Sequence, residues 1–191
     1  IHHIAQPYWF EEGGDSDPEA FGLEVAQELE HAINHYGVDN IAGFIAEPIQ
    51  GAGGVIIPPE SYWPAIQNII DEHEILLIAD VVITGFGRTG SNFGADAFNV
   101  TPDIMTIAKG MTSGTVPMGG VLVKEEIYDT FMTGPEEAIE FFHGYTYSGH
   151  PLAAAAGLAT LNVYEEEGLF ENARELAPVL EEEVHKIKGT K

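Results

Sequence analysis

Two short apolar runs constrain this chain more than any other feature. The first, Ile75 to Ala79, ends at Asp80, the second, Ile104 to Ala108, ends at Lys109, and each leads into glycine. Runs this short and rich in Ile and Leu suit strands buried on both faces of a parallel sheet better than helices. Asp80 and Lys109 then stand at strand ends, and in open α/β sheets the carboxyl ends of strands are where ligands bind. A buried carboxylate and a buried amine, distant in sequence, are expected to meet there.

The remaining segments fit around that pair. Asp17, Pro18 and Glu19 supply an N-cap, a first-turn proline and a first-turn acid, and Phe21, Val25, Leu29, Ile33 and Tyr36 follow at helical spacing before Gly37. Residues 41–46 read as a strand that delivers Glu47, and Pro48 bars its continuation as a central strand. The glycines of 51–54 must turn sharply. Glu47 is there either as a site residue or as a loop carboxylate. Tyr62 or Trp63, Ile66, Ile69 and Ile70 mark a helix between Glu60 and Glu74, completing a strand, helix, strand unit of a parallel sheet. Further strands are expected over 103–108 and 119–126, the latter with an exposed end at Lys124. A short acidic helix is expected over 135–142. An extended HGYTYSGHP precedes an Ala-rich helix opened by Pro151, and Gly168 separates it from a last amphipathic helix through Phe170, Leu176, Leu180 and Val184. Residues 1–16 show no regular period.

Charge and composition exclude several functions. The chain has 191 residues, 31 acidic against 7 basic, for a net charge of −24. Nucleic acid and anionic membranes are therefore not expected as partners. No apolar run approaches the roughly 20 residues that span a bilayer, and the start lacks the pattern of an export signal. A soluble, cytoplasmic protein is expected. There is no cysteine, which removes disulfides and thiolate chemistry and suits a reducing compartment. The opening without Met and the unfinished final helix point to a fragment.

Other motifs are weaker. Gly85, Gly87 and Gly90 match G-x-G-x-x-G, but a dinucleotide site needs a helix opening at the third glycine, and SNFGADAFNVTPD shows no helix start. His31 and His35 stand one helical turn apart, yet position 32 is Ala rather than the Glu of H-E-x-x-H, so no metal is expected. Lys109 carries more information. A lysine that ends an apolar strand in a chain with seven basic residues is a candidate nucleophile toward carbonyls, since withdrawal from water favours the neutral amine. Its partner would be an aldehyde cofactor, with Asp80 holding the pyridinium proton of pyridoxal phosphate. A buried Lys and Asp pair without cofactor is the other reading of the same spacing.

EPIQGAGG, LIADVVITGFGRTG, DIMTIAKG and HGYTYSGHP, in this order, resemble the class III aminotransferases, members of the fold type I pyridoxal-phosphate superfamily. YWPAIQ with ITGFGRTG and HGYTYSGHP is most similar to the omega-amino acid:pyruvate type. The resemblance implies an α/β fold, a central mostly parallel sheet with flanking helices. Residues 1–155 would be part of the large cofactor-binding domain, and 156–191 a connecting helix and the truncated start of the small domain. It implies transfer of an amino group from an omega-amino acid or amine to a keto acid such as pyruvate, in a homodimer with shared active sites. A decarboxylase or aminomutase on the same scaffold, or a noncatalytic domain of this fold, would share the motifs. Carried over by position, Lys109 bonds the cofactor and moves the proton, and Asp80 partners the ring nitrogen. Val82 presses on the face of the ring, Ile83 and Tyr145 count among the cofactor-binding residues, Thr146 binds the phosphate of the neighbouring subunit, and Glu47 lies beside the substrate channel. The isolated fragment is expected to be inactive. Two departures stand out: Val81 replaces the family's usual Glu, and Ile83 replaces the Gln of many members. Strand alternation should point Val81 away from the ring.

Overall fold

A computed structural model describes residues 1–137 and 141–187. Its first helix, α1 (Trp9–Glu12), is a single turn in the stretch without periodicity. Helix α2 (Pro18–Tyr36) begins where the cap chemistry dictates: the Asp17 carboxylate accepts from the N–H groups of Glu19 and Ala20, both at 3.1 Å, and Gly37 closes the other end. Phe21, Val25, Leu29 and Ile33 are buried, while Tyr36 is exposed, its hydroxyl 3.2 Å from His2 Nδ1.

Strand β1 (Gly43–Ala46) follows, then α3 (Tyr62–His73) and β2 (Leu76–Asp80). Ser61 precedes α3 without capping it. Its hydroxyl donates instead to the Glu19 carbonyl at 2.7 Å and its N–H to the Glu19 carboxylate at 2.8 Å, tying α3 to the start of α2. Farther along, Glu30 of α2 meets His73 of α3 at 2.8 Å. Tyr62, Trp63, Ile66, Ile69 and Ile70 bury against α2 and the sheet, and burial pushes the Tyr62 phenol above its ordinary pKa.

The chain then forms α4 (Gly94–Ala97), β3 (Ile104–Ile107), β4 (Gly120–Val123) and α5 (Glu125–Phe131). Gly90 opens no helix, as the dinucleotide reading would have required. The sheet order is β1-β2-β3-β4, with β1, β2 and β3 parallel and β4 antiparallel to β3. Asp103 fastens the end of the sheet opposite the expected site. Its carboxylate accepts the Leu77 N–H at 2.7 Å and pairs with Lys124 Nζ at 2.8 Å, and that bond holds the ammonium above the ordinary lysine pKa.

The helix expected over 135–142 falls partly on 138–140, outside the described residues, and the described residues on either side are not helical. Helix α6 (Pro151–Glu166) starts at its proline, with His150 Nδ1 accepting the Leu152 N–H at 3.2 Å. Helix α7 (Leu169–His185) completes the described structure. Leu176, Leu180 and Val184, apolar positions of the amphipathic pattern, are exposed. The helices touch the rest of the chain elsewhere: Phe170 fills the space over Gly87, and Arg174 donates to the Gly90 carbonyl through Nε at 3.2 Å and Nη2 at 2.8 Å.

Burial decides what core substitutions cost. Ile66 is 0% exposed between α2 and the sheet, whereas Leu180 is 66% exposed. In urea unfolding, Ile66→Ala is expected to destabilise by about 2–5 kcal/mol, and Leu180→Ala by less than about 0.5 kcal/mol.

Candidate active site

The parallel register sets the site. Asp80 ends β2 and aligns with Thr106 of β3, and the ladder extends one step further through the Val81 N–H, which donates to the Thr106 carbonyl at 3.0 Å. Lys109 follows two residues beyond the end of β3. Asp80 and Lys109 thus stand at the same edge of the sheet, on neighbouring strands. The Asp80 carboxylate is half-buried and accepts the Val82 N–H at 3.0 Å. Beside it, the Thr106 hydroxyl is buried without a hydrogen-bond partner among the described residues.

The expected burial of Lys109 is corrected: the residue is exposed. The chain leaves the sheet at Lys109 with φ +45° and coils into a short turn, Lys109–Thr112. Lys109 lines an open cleft of about 520 Å³, together with Gly85, Phe86, Arg88, Gly110, Tyr164 and Phe170. A second cleft, about 350 Å³ between α1 and residues 55–59, holds none of the expected site residues.

The other expected residues divide. Val81 is fully buried in the core, and Val82 and Ile83 are half-buried. The departure from the family's Glu is thus accommodated by apolar packing at a place where a carboxylate would need a partner. Ile83 packs on Gly51 so tightly that any Cβ at Gly51 would overlap its Cδ1. Glu47 accepts the Gly51 N–H at 3.0 Å and so closes the glycine turn, the work of a loop carboxylate. Tyr145 and Thr146 are exposed, with no hydrogen bond from either side chain to Asp80 or Lys109 among the described residues. His31 and His35 belong to no group of three metal-ligating side chains among the described residues.

Sequence reasoning missed Tyr164, whose hydroxyl donates to the Gly110 carbonyl at 2.7 Å, and Phe86, which packs on Gly110. Tyr164 had a signal, being the single aromatic of an Ala-rich helix. Phe86 had none, because its role depends on a glycine approached only in the folded chain.

The four-stranded sheet with helices packed against it is an α/β fold of the fold type I pyridoxal-phosphate class. The family model for aminotransferase class-III matches residues 4–191, and the chain belongs to that family. It is 53% identical over 182 residues to a putrescine–pyruvate aminotransferase of Pseudomonas aeruginosa, covering 95% of this chain and 39% of that protein. To an omega-amino acid–pyruvate aminotransferase of Pseudomonas putida it is 51% identical over 176 residues, covering 91% and 39%. An amine transaminase from an uncultivated Pseudomonas species, solved in a PLP-bound form, superposes with a TM-score of 0.89 at 43% identity, covering 96% of this chain and 42% of that one. The chain thus spans about two fifths of the length of these relatives.

The Glu47 contact is open to measurement. Glu47→Ala should lower stability by about 1 kcal/mol and speed amide exchange at Gly51, while Glu47→Gln, which keeps an acceptor oxygen, should retain most of both.

Proposed function

We propose that this chain is the lysine-bearing part of an aminotransferase that moves an amino group from an omega-amino acid or amine to a keto acid such as pyruvate, with pyridoxal phosphate as cofactor. The observation that carries the reading is the placing of Asp80 and Lys109 at neighbouring strand ends, in a chain about half identical to pyruvate aminotransferases.

The residues present fit the cofactor. Asp80 offers a carboxylate steadied by one backbone N–H, and the buried Thr106 hydroxyl beside it is an unsatisfied polar group at the same edge. When bound, pyridoxal phosphate supplies an aldehyde that bonds amines and a ring that draws electrons from the adjoining carbon. Asp80 would hold the proton of the ring nitrogen. Lys109 would anchor the aldehyde at rest and, once released, take the proton from the substrate carbon that bears the amino group and deliver it to the carbon that had carried the aldehyde. Val82 and Ile83 would bound the ring, and Glu47 would lie beside the substrate channel while closing its turn.

The same reading assigns residues 1–155 to the large domain and 156–191 to a connecting helix and the start of the small domain. It places the enzyme in the cytoplasm as a homodimer. Thr146, exposed beside the exposed Tyr145, would reach the cofactor phosphate of a partner copy.

In the full-length protein, borohydride reduction after addition of pyridoxal phosphate should fix the cofactor on Lys109, as read by peptide mapping. Label on another lysine, or none, would overturn the assignment. Lys109→Ala should lower turnover by about 10³-fold or more.

Sharing of sites has its own test. Mixing Lys109→Ala subunits with Thr146→Ala subunits, each severely impaired, should regenerate activity after subunit exchange. Absence of recovery with exchange verified by mass spectrometry would place Thr146 in its own chain's site.

A further inference from the structure

The backbone at Lys109 is held in a conformation that residues with a Cβ adopt only when their surroundings impose it, with φ at +45°. Three contacts converge on it. The Gly114 N–H donates to the Lys109 carbonyl at 3.3 Å. Gly110 presses on Phe86 so closely that a Cβ at Gly110 would stand 2.7 Å from the Phe86 Cβ. From α6, distant in sequence, the Tyr164 hydroxyl donates to the Gly110 carbonyl at 2.7 Å.

Tyr164 is itself constrained. Its ring is tilted against Phe86, with centroids 6.4 Å apart, and against Phe170 of α7, with centroids 5.1 Å apart. A hydroxyl on a ring held from two sides has a fixed direction, so the bond to Gly110 joins the Lys109 turn to α6, α7 and the 85–90 loop. The Gly110 carbonyl also accepts the Ser113 N–H at 3.1 Å. A carbonyl oxygen has two lone pairs, so loss of the tyrosine bond leaves the turn formed but less restrained.

We propose that Tyr164 is a positioning residue for Lys109. By holding the Gly110 carbonyl it keeps the Gly110–Met111 peptide, one residue past Lys109, in one orientation, and thereby restrains the turn that sets where Lys109 stands in the cleft that both residues line. The inference rests on the aminotransferase reading for its catalytic consequence, and on the structure alone for its mechanical part. Such restraint matters because misplacing a reacting group by about 1 Å can slow a reaction by up to about 10²-fold.

The test compares three substitutions in the full-length protein. Tyr164→Phe removes the hydroxyl and keeps the ring. Thr160→Val, the control, removes a hydroxyl of the same helix that, among the described residues, donates to the Ala156 carbonyl within its own helix. Phe170→Leu keeps the tyrosine hydroxyl but takes away a ring that steadies it. Two readouts are taken: amide exchange at Met111, Ser113 and Gly114 in cofactor-free protein, and the rate at which pyridoxal phosphate is captured on Lys109 and fixed by borohydride. Tyr164→Phe should speed the exchange and slow capture about tenfold, with kcat lowered to match and KM for the amine kept. Phe170→Leu should show a smaller change of the same kind, and Thr160→Val none.

Exchange and capture in Tyr164→Phe indistinguishable from wild type would overturn the proposal. If Tyr164→Phe does not fold, Phe170→Leu decides, and unchanged rates there overturn it equally. Wild-type protein that captures no cofactor on Lys109 would sink the functional reading instead, while the exchange measurement would still decide whether Tyr164 restrains the turn.

Discussion

The register of β2 is the constraint on which the rest of the structure depends. Leu77, Ala79 and Val81 are fully buried, and because a strand alternates its side chains between two faces, that burial sends Asp80 and Val82 to the other side. A slip of one residue would bury the Asp80 carboxylate in the apolar core and expose Val81, so the hydrophobic effect holds the polar residue in place. Pairing then carries the register outward. β1 aligns Ala46 with Ala79, β3 aligns Thr106 with Asp80, and Asp103 locks the opposite end through Leu77 and Lys124.

Holding a strand end is not enough to hold a side chain that lies beyond it. Past β3 the backbone no longer has a ladder, and the Lys109 turn takes its shape from the loop at 85–90 and the helices α6 and α7. Phe170 on Gly87, Arg174 on the Gly90 carbonyl and Tyr164 on the Gly110 carbonyl form a connected set of contacts. The outer faces of those helices remain exposed in this chain, which spans 39% of the length of its aminotransferase relatives. Their apolar positions follow helical periodicity even though the described residues do not cover them.

The net charge of −24 has little bearing on the site. Lys124, Arg174 and Lys186 are each paired with a nearby carboxylate, whereas Lys109 and Arg88 line the cleft without an acidic partner among the described residues. The Arg88 Nε donates to the Ile83 carbonyl at 2.6 Å, and neither basic side chain of the cleft is tied to a carboxylate among the described residues, although acids outnumber bases in the chain 31 to 7. Pairing, not burial, sets Lys109 apart from the paired lysines Lys124 and Lys186, since Lys109 is exposed where sequence reasoning expected it buried.

The sequence by itself determined the long helices, the strands of the sheet and the two residues that follow the apolar runs, though not the short helices α1, α4 and α5. Cap chemistry at Asp17, Pro18 and Gly37, helical spacing through α2 and α3, and apolar runs stopped by Asp80 and Lys109 are local signals, legible because they depend on neighbours within a few positions. Ordered motifs placed the chain in its family for the same reason. Only the tertiary structure decided that Lys109 is exposed, that Glu47 closes the glycine turn onto Gly51, and that Tyr164 reaches back to Gly110. Exposure and long-range contacts depend on how separate elements pack, and no periodicity records which distant side chain will arrive at a given carbonyl.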